Sequence, residues 1–344
     1  MKTKLRKTYN FIIRFFIIAM TFGFLYDQVF HSNDIQLVIG FFPAASQAPG
    51  FWLMLCLVVV LMLVNYLLES IKWKFFIAKL ENVSLLNSYK AVLTGMSVSM
   101  FMPNRVGDYL GRVFILRKAD RIQAILATIV GSMSQLIATI VFGALAIVFA
   151  YPMMIDMDEK LNRWMFAGLI LVVVVGLFTI IFAYLNFGAF SGIIKRVSGR
   201  AYKKIKKYTR VFSLYRSADM LVVLIISLLR YMLFSFQFVL LLWMFQVEIN
   251  YPMAMVLIGL IYLGVTVIPT IALTEIGVRG SVSIFVFSYY YQNIAFLNTN
   301  SELGVASAST ALWFINLVVP AIAGAIFVYK LKFFRKNNTD GKLD

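Results

Sequence analysis

Charge is scarce in this chain of 344 residues. Asp, Glu, Lys and Arg make up 14% of it, against 61% hydrophobic residues and a mean hydropathy of +0.86. That balance excludes an ordinary soluble domain, and it equally excludes a disordered chain. One cysteine, Cys56, allows no intramolecular disulfide; inside an apolar run it is expected to be a small buried side chain. The single histidine, His31, reads as a surface residue, and no His/Cys cluster supplies a metal site or a nucleophile. No cofactor and no metal are therefore expected. A phosphate-cradling Gly-rich loop ending in Lys-Ser or Lys-Thr is also missing, which argues against direct ATP-driven transport.

What is abundant is apolar sequence. Runs of roughly 17 to 30 apolar residues recur from Phe11 to Val328, and at about 20 residues per crossing they predict an all-α polytopic membrane bundle. The net charge of +17 invites a nucleic-acid reading, but its placement argues otherwise. Nine basic residues lie between Lys195 and Arg216 and four between Lys2 and Lys7, flanking apolar spans as the positive-inside rule requires. No nucleic-acid motif accompanies them. The Lys203-Lys204-Ile205-Lys206-Lys207 stretch also suits anionic lipid headgroups.

The charge rule orders the spans. Phe11 to about Phe30 forms a retained first helix, and the loop from His31 to Gly50, without Lys or Arg, faces outside. Phe51 to about Leu68 returns and delivers Lys72, Lys74 and Lys79 to the inner side. Further spans run over Ile122 to Ala150, Trp164 to Tyr184, Met220 to Phe245 and Val305 to about Val328, with residues 195–216 as a basic cytoplasmic connector, expected to be an amphipathic surface helix. Two stretches resist a single-span reading. Leu85 to Leu116 is interrupted at Pro103-Asn104 and has basic flanks on both sides, so it should enter from the cytoplasm and return. Pro252 to Tyr290 has a second interruption, Ile268 to Gly280, and flanks that face outside. The expectation is six full spans and two opposed re-entrant hairpins in one transmembrane domain over 1–344, both termini cytoplasmic, with a polar tail over 331–344. Of 32 basic residues, 25 then lie inside, Lys160 and Arg163 outside, and Arg14, Arg105, Arg112, Arg230 and Arg279 at membrane depth.

The breaks gather the polar residues. After Pro103, helical spacing puts Arg105, Asp108 and Arg112 on one face, beside Asn104 and the close-spaced Gly107 and Gly111. After Pro269, Glu275 and Arg279 are four apart and can pair, with Thr274 and Gly277 alongside. Gln135 belongs either to the same polar interior or to a plain helix-to-helix hydrogen bond. Asn65 and Glu69, four apart, either face the bundle interior or leave Glu69 to pair with Lys72 at the interface. Four deep cations, Arg105, Arg112, Arg230 and Arg279, stand against Asp108 and Glu275. An uncompensated arginine at the bilayer centre costs about 2.5 to 3.5 kcal/mol. The excess asks for water, interface access or an anionic partner, and a phospholipid phosphate matches the guanidinium fork. An internally paired structural network remains the alternative.

These residues resemble a known family. Asn65 to Trp73, Pro103 to Asp108 with Arg112, and Ile268-Pro269 through Val278 look like the motifs of the lysylphosphatidylglycerol synthase transmembrane-region family, also called the flippase-like domain. The family's first motif, Pro-Xaa-Arg-Xaa-Gly-Glu, falls on Pro103, Arg105, Gly107 and Asp108, with the carboxylate shortened. Its later motif, Pro-Gly-Gly-Xaa-Gly followed by Glu, has Thr274 and Glu275 at the paired glycines, Gly277 matched, and Gly280 at the Glu. The resemblance spans roughly residues 10–330 and implies movement of aminoacylated or otherwise modified lipids between leaflets. Full synthases append a soluble aminoacyl-transfer domain; only 16 residues follow Val328, so lysyl transfer is not expected here and a lipid-modifying partner enzyme would be separate.

The expected function is thus a lipid translocase or lipid-binding transporter in the bacterial inner membrane. Its partners are membrane phospholipids and not nucleic acid. The headgroup site is expected at Asn104, Arg105, Asp108, Arg112, Arg230, Thr274, Glu275 and Arg279, with hairpin breaks at Pro103, Gly107, Pro269 and Gly277, and Asn65, Glu69 and Gln135 as interior polar groups. A structural or assembly protein using its arginines as lipid anchors, and a membrane lipid transferase, are the alternatives.

Overall fold

The computed structural model describes residues 49–100, 106–155, 157–189, 210–268, 272–293 and 302–328, with a few isolated positions besides. Its elements are helical: α1 (Phe51–Ile77), α2 (Leu85–Ser99), α3 (Val106–Val113), α4 (Arg121–Met154), α5 (Lys160–Leu185), α6 (Ser217–Met244), α7 (Tyr251–Val267), α8 (Ala272–Asn293), α9 (Glu302–Trp313) and α10 (Val319–Val328). A π-helical turn, Phe314–Val318, joins α9 to α10 in one rod. Local chemistry sets the starts. Ser84 accepts from the Asn87 N–H, Asp120 from those of Ile122 and Gln123, and Asn250 from that of Met253. At the start of α6 the Asp219 carboxylate reaches back to the Arg216 N–H at 3.0 Å.

Among the described residues five helices are long and apolar enough to cross a membrane: α1, α4, α5, α6 and the α9–α10 rod. They coincide with the last five expected spans; the expected first helix, the outside loop after it, most of the basic connector and the polar tail lie outside the described residues. The described end of the connector, Arg210–Leu214, is a short 3-10 turn, and next to it Tyr215 stacks on Phe76 at 3.8 Å and donates to the Phe76 carbonyl at 3.0 Å. α5 is the outermost helix, burying only Tyr184. Cys56 corrects an expectation, because it sits exposed on the outer face of α1. An apolar run does not say which of its sides faces the bundle.

α2 and α3 fold back on each other as a helical hairpin. A Cβ on Gly107 would lie 2.6 Å from the Val98 carbonyl carbon, and one on Gly111 would lie 2.6 Å from the Gly95 Cα. Only hydrogen at these positions admits so close an approach. α2 has 15 residues, about 22 Å at 1.5 Å per residue, short of a hydrocarbon core of about 30 Å. The two flanks of the hairpin meet: the Glu81 carboxylate accepts from the backbone N–H groups of Arg117 (2.9 Å), Lys118 (2.7 Å) and Ala119 (2.8 Å). This same end of the bundle holds the Lys79–Asp219 ion pair at 3.2 Å, hence the end of α1 and the start of α6.

α7 and α8 form the second hairpin, anchored at the other end. Tyr291, near the end of α8, donates to the Glu248 carbonyl just before α7 at 2.8 Å. A Cβ on Gly304 at the start of α9 would run into the Phe245 carbonyl after α6. The expected interruption over Ile268 to Gly280 is narrower than the sequence suggested, since helix resumes at Ala272. Gly277 therefore lies inside α8 with open space around it and marks no break, while Gly107 lies inside α3 and serves close packing. The inner ends of both hairpins meet at the π turn, where Met100 and Ile276 pack with Trp313, Leu317, Val318 and Ala321.

Candidate functional site

Where the hairpins converge, a cavity of about 240 Å³ opens between α1, α2, α3, α4, α6, α7, α8 and the π turn. Its polar wall includes Asn65, Glu69, Arg112, Gln135, Arg230 and Arg279, and its aromatic wall Tyr66, Tyr231, Phe234, Tyr262 and Trp313. The sequence brings these together from helices far apart in the chain. A helix with a face polar at this depth must turn it inward, because lipid offers no hydrogen bond.

The centre is Glu69, 4% exposed, which faces the interior and also pairs with Lys72. One oxygen accepts from Arg112 Nη1 at 2.5 Å; the other accepts from Lys72 Nζ at 2.7 Å and from Arg230 Nη1. Lys72 corrects the charge-rule assignment: it is 2% exposed, within the bundle, and not a solvated interfacial lysine. The Asp108 carboxylate grips Arg112 by a fork, Nε at 2.8 Å and Nη2 at 2.5 Å, so every nitrogen of that guanidinium is engaged. Arg230 donates from Nε to the Asn65 side-chain oxygen at 2.8 Å and from Nη1 to Gln135 Oε1 at 2.9 Å. Gln135 thus belongs to the interior network. Gln237, by contrast, makes a helix-to-helix bond to the Val58 carbonyl at 2.8 Å.

Arg279 is held differently. It donates from Nη2 to Glu275 at 3.0 Å, the pairing expected from their spacing, and its guanidinium lies 5.9 Å from the ring centres of both Phe234 and Tyr262. Among the described residues its Nε is buried with no hydrogen-bond partner, and so are the Tyr231 and Tyr262 hydroxyls, the Trp313 Nε1 and the Asn316 Oδ1, all on residues that line the cavity. Four of these five atoms carry a hydrogen to donate. The Tyr66 hydroxyl donates to the Asn316 carbonyl at 2.7 Å, taking up an acceptor inside the π turn.

Of the sequence-predicted residues, Asn65, Glu69, Arg112, Gln135, Arg230 and Arg279 line one cavity, with Asp108 and Glu275 bound to its arginines. Pro103, Asn104, Arg105 and Pro269 lie outside the described residues; Thr274 stands in the first turn of α8. Sequence reading missed the aromatic wall and Asn316; for Lys72 the spacing of three from Glu69 gives the pairing but places it at the interface. Described cations Lys72, Arg112, Arg230 and Arg279 outnumber the carboxylates Glu69, Asp108 and Glu275 by one. Among the described residues no group of three or more His, Cys, Asp and Glu could hold a metal.

Fold and site together define an integral, polytopic helical membrane protein with a charged chamber between two opposed helical hairpins. Residues 11–324 match the family model for the lysylphosphatidylglycerol synthase transmembrane region, and the chain belongs to that family. This region is the non-catalytic, flippase-like part of such synthases, distinct from the domain that transfers the aminoacyl group. Searches of curated proteins and of solved structures return no match.

Proposed function

We propose that this protein is a lipid translocase of the bacterial inner membrane that takes the phosphate of an anionic or modified phospholipid into the chamber between its hairpins while the acyl chains stay in the bilayer. One observation carries this reading: a 240 Å³ cavity, inside a bundle whose outer faces are apolar, is walled by three arginines and by buried donors without partners. Buried donors without partners are costly, at about 1–3 kcal/mol each, and a phosphate supplies several acceptors at once. Arg279 has fewer protein bonds than Arg112 or Arg230, so it is the guanidinium with most to offer a ligand. Asn104 and Arg105, which precede α3 in the sequence, and Thr274 in the first turn of α8 belong to the proposed headgroup site.

In this reading each hairpin is re-entrant, six full spans surround the pair, and both termini are cytoplasmic. A lipid-modifying enzyme, if one supplies the substrate, is a separate partner. The test is leaflet exchange of headgroup-labelled phosphatidylglycerol and of an aminoacylated lipid in vesicles holding the purified protein. Exchange should exceed that of protein-free vesicles and fall at least tenfold in Arg279→Ala with folding retained. Exchange no faster than in protein-free vesicles, with both lipids, overturns translocation; tight binding without exchange points instead to a lipid-anchored assembly role.

A further inference from the structure

The three cations that converge on Glu69 are chemically unlike. Arg112 and Arg230 keep their charge at any accessible pH, whereas a lysine can give up its proton. Among the described residues, the Arg112 and Arg230 guanidiniums are balanced by the Glu69 and Asp108 carboxylates. Whether this cluster carries a net charge is therefore decided at Lys72. Arg279 and Glu275 pair separately.

We propose that Lys72 Nζ is a proton-binding site linked to the anion chamber: a proton from the aqueous phase binds Lys72 as a headgroup phosphate enters, and returns there when the phosphate leaves. This rests on the headgroup reading above and adds the co-bound species. The physical argument is reciprocity. An ammonium attracts an anion in the chamber and a neutral amine does not, so the anion favours the protonated lysine to the degree that the protonated lysine favours the anion. A monoanionic phosphodiester plus one proton leaves the net charge of the interior unchanged, which avoids the cost of burying an unbalanced charge.

The surroundings of Lys72 suit both of its states. Its own helix supplies Glu69, α3 supplies Arg112, the Asp108 bound to it and the Tyr109 phenol beside Ser132, and α6 supplies Arg230. α4 faces it with uncharged groups, α5 brings Tyr184 beside Ser134, and Lys90 of α2 lies elsewhere, over the Phe327 ring. Lys72 Nζ is 3.4 Å from Ser227 Oγ, which is 2.7 Å from Ser134 Oγ. A hydroxyl accepts from an ammonium or, rotated, donates to an amine, so this pair serves either state. A second, small cavity of about 10 Å³ is bordered by Glu69, Lys72, Arg112 and Ser132. Glu69 and Arg112 line both cavities, and Lys72 shares one Glu69 oxygen with Arg230, which lines the chamber.

The experiment is calorimetry of a short-chain, water-soluble phosphatidylglycerol binding to the purified full chain in detergent, in buffers of different ionisation enthalpy, over a pH series. For the unaltered protein the heat should depend on the buffer, corresponding to uptake of up to about one proton per lipid at alkaline pH. Lys72→Met and Lys72→Arg should bind with heats that no longer depend on the buffer; if the Met variant does not fold, the Arg variant carries the comparison. Lipid binding with no buffer dependence at any pH overturns the linkage and leaves the headgroup reading standing. So does a buffer dependence that survives in the Lys72 variants. No lipid binding by the folded, unaltered protein removes the headgroup reading, and the proton linkage with it.

Discussion

Replacing Glu69 by Gln tests the site at its most connected point. The carboxylate accepts from Arg112, Arg230 and Lys72 and is almost wholly buried. Gln keeps the shape and one acceptor oxygen but removes the charge, so Lys72 and Arg230 lose the only acidic partner they have among the described residues; Arg112 keeps the Asp108 fork. Removing one partner of a buried ion pair costs about 3–5 kcal/mol, and Arg112's second carboxylate places this case toward the lower end. That is a large part of a typical folding stability of about 5–15 kcal/mol. The measurement is unfolding in mixed micelles by added denaturing detergent, followed by tryptophan fluorescence. Because the loss comes from cations left unpaired, adding Lys72→Met to Glu69→Gln should recover about 1–3 kcal/mol, although each substitution alone destabilises. A loss below about 1 kcal/mol in Glu69→Gln, or strictly additive losses in the double variant, would mean that the cluster is hydrated and not the buried hub described above.

Gly324→Ala should destabilise by about 2–4 kcal/mol in the same assay, because its Cβ would run into the Leu93 carbonyl and Ser97 Oγ and break the 2.5 Å bond from Ser97 to the Ala321 carbonyl. Gly277→Ala, in open space inside a helix, should be neutral or stabilising by up to about 1 kcal/mol. Glu81→Gln should cost about 1–3 kcal/mol and speed amide exchange at Arg117, Lys118 and Ala119, whose N–H groups lose a charged acceptor. Tyr66→Phe should cost about 1 kcal/mol by freeing the Asn316 carbonyl, seen as loosened amide exchange across Phe314–Val318. Cys56, exposed on the outer face of a spanning helix, should react with a membrane-soluble maleimide and resist a charged one in vesicles; equal labelling by both would place it in water.

What the sequence discloses and what it hides follow from the same physics. Span positions are legible because each crossing demands a long apolar run. That α2 and α3, and likewise α7 and α8, are separate helices is legible because Pro103 and Pro269 interrupt otherwise apolar stretches. Arg279 with Glu275, and Arg112 with Asp108, are legible because pairs four apart on a helix meet whatever the tertiary fold. Lys72 is misread in place and not in partner: the charge rule treats a lysine near a span end as solvated, and the fold buries its pair with Glu69 inside the bundle beside Ser227. Cys56 is misread because an apolar run reads as buried all round, whereas helical spacing puts it opposite the inward polar face of Asn65, Glu69 and Lys72. The aromatic wall is hidden for a third reason: Tyr231, Tyr262 and Trp313 look like any aromatic in a membrane helix until helices distant in sequence converge.

The hairpins differ in what holds them, and that difference bears on how a chamber between them can open. The first is fastened at its base by three charge-assisted bonds to Glu81 and along its length by glycine contacts at backbone distance. In the second, α7 is locked to α4, where a Cβ on Gly259 would lie 2.7 Å from that of Ala146, whereas α8 is fastened at its end by the Tyr291 hydroxyl bond and meets α7 through Gly264 against the Val282 side chain, at 3.3 Å. Their meeting point is a small apolar cluster of Met100 and Ile276 against the π turn, with no ion pair between the tips among the described residues. Apolar contacts slide with little penalty as long as they stay covered, whereas a buried charge-assisted bond has to be broken outright. Motion is therefore least costly at the tips and in the α8 arm of the second hairpin. Arg279 rides on that hairpin while Arg112 and Glu69 stay with the fixed side. A displacement of α8 would then change the spacing between Arg279 and the Glu69 cluster, which is the spacing a headgroup phosphate would have to bridge.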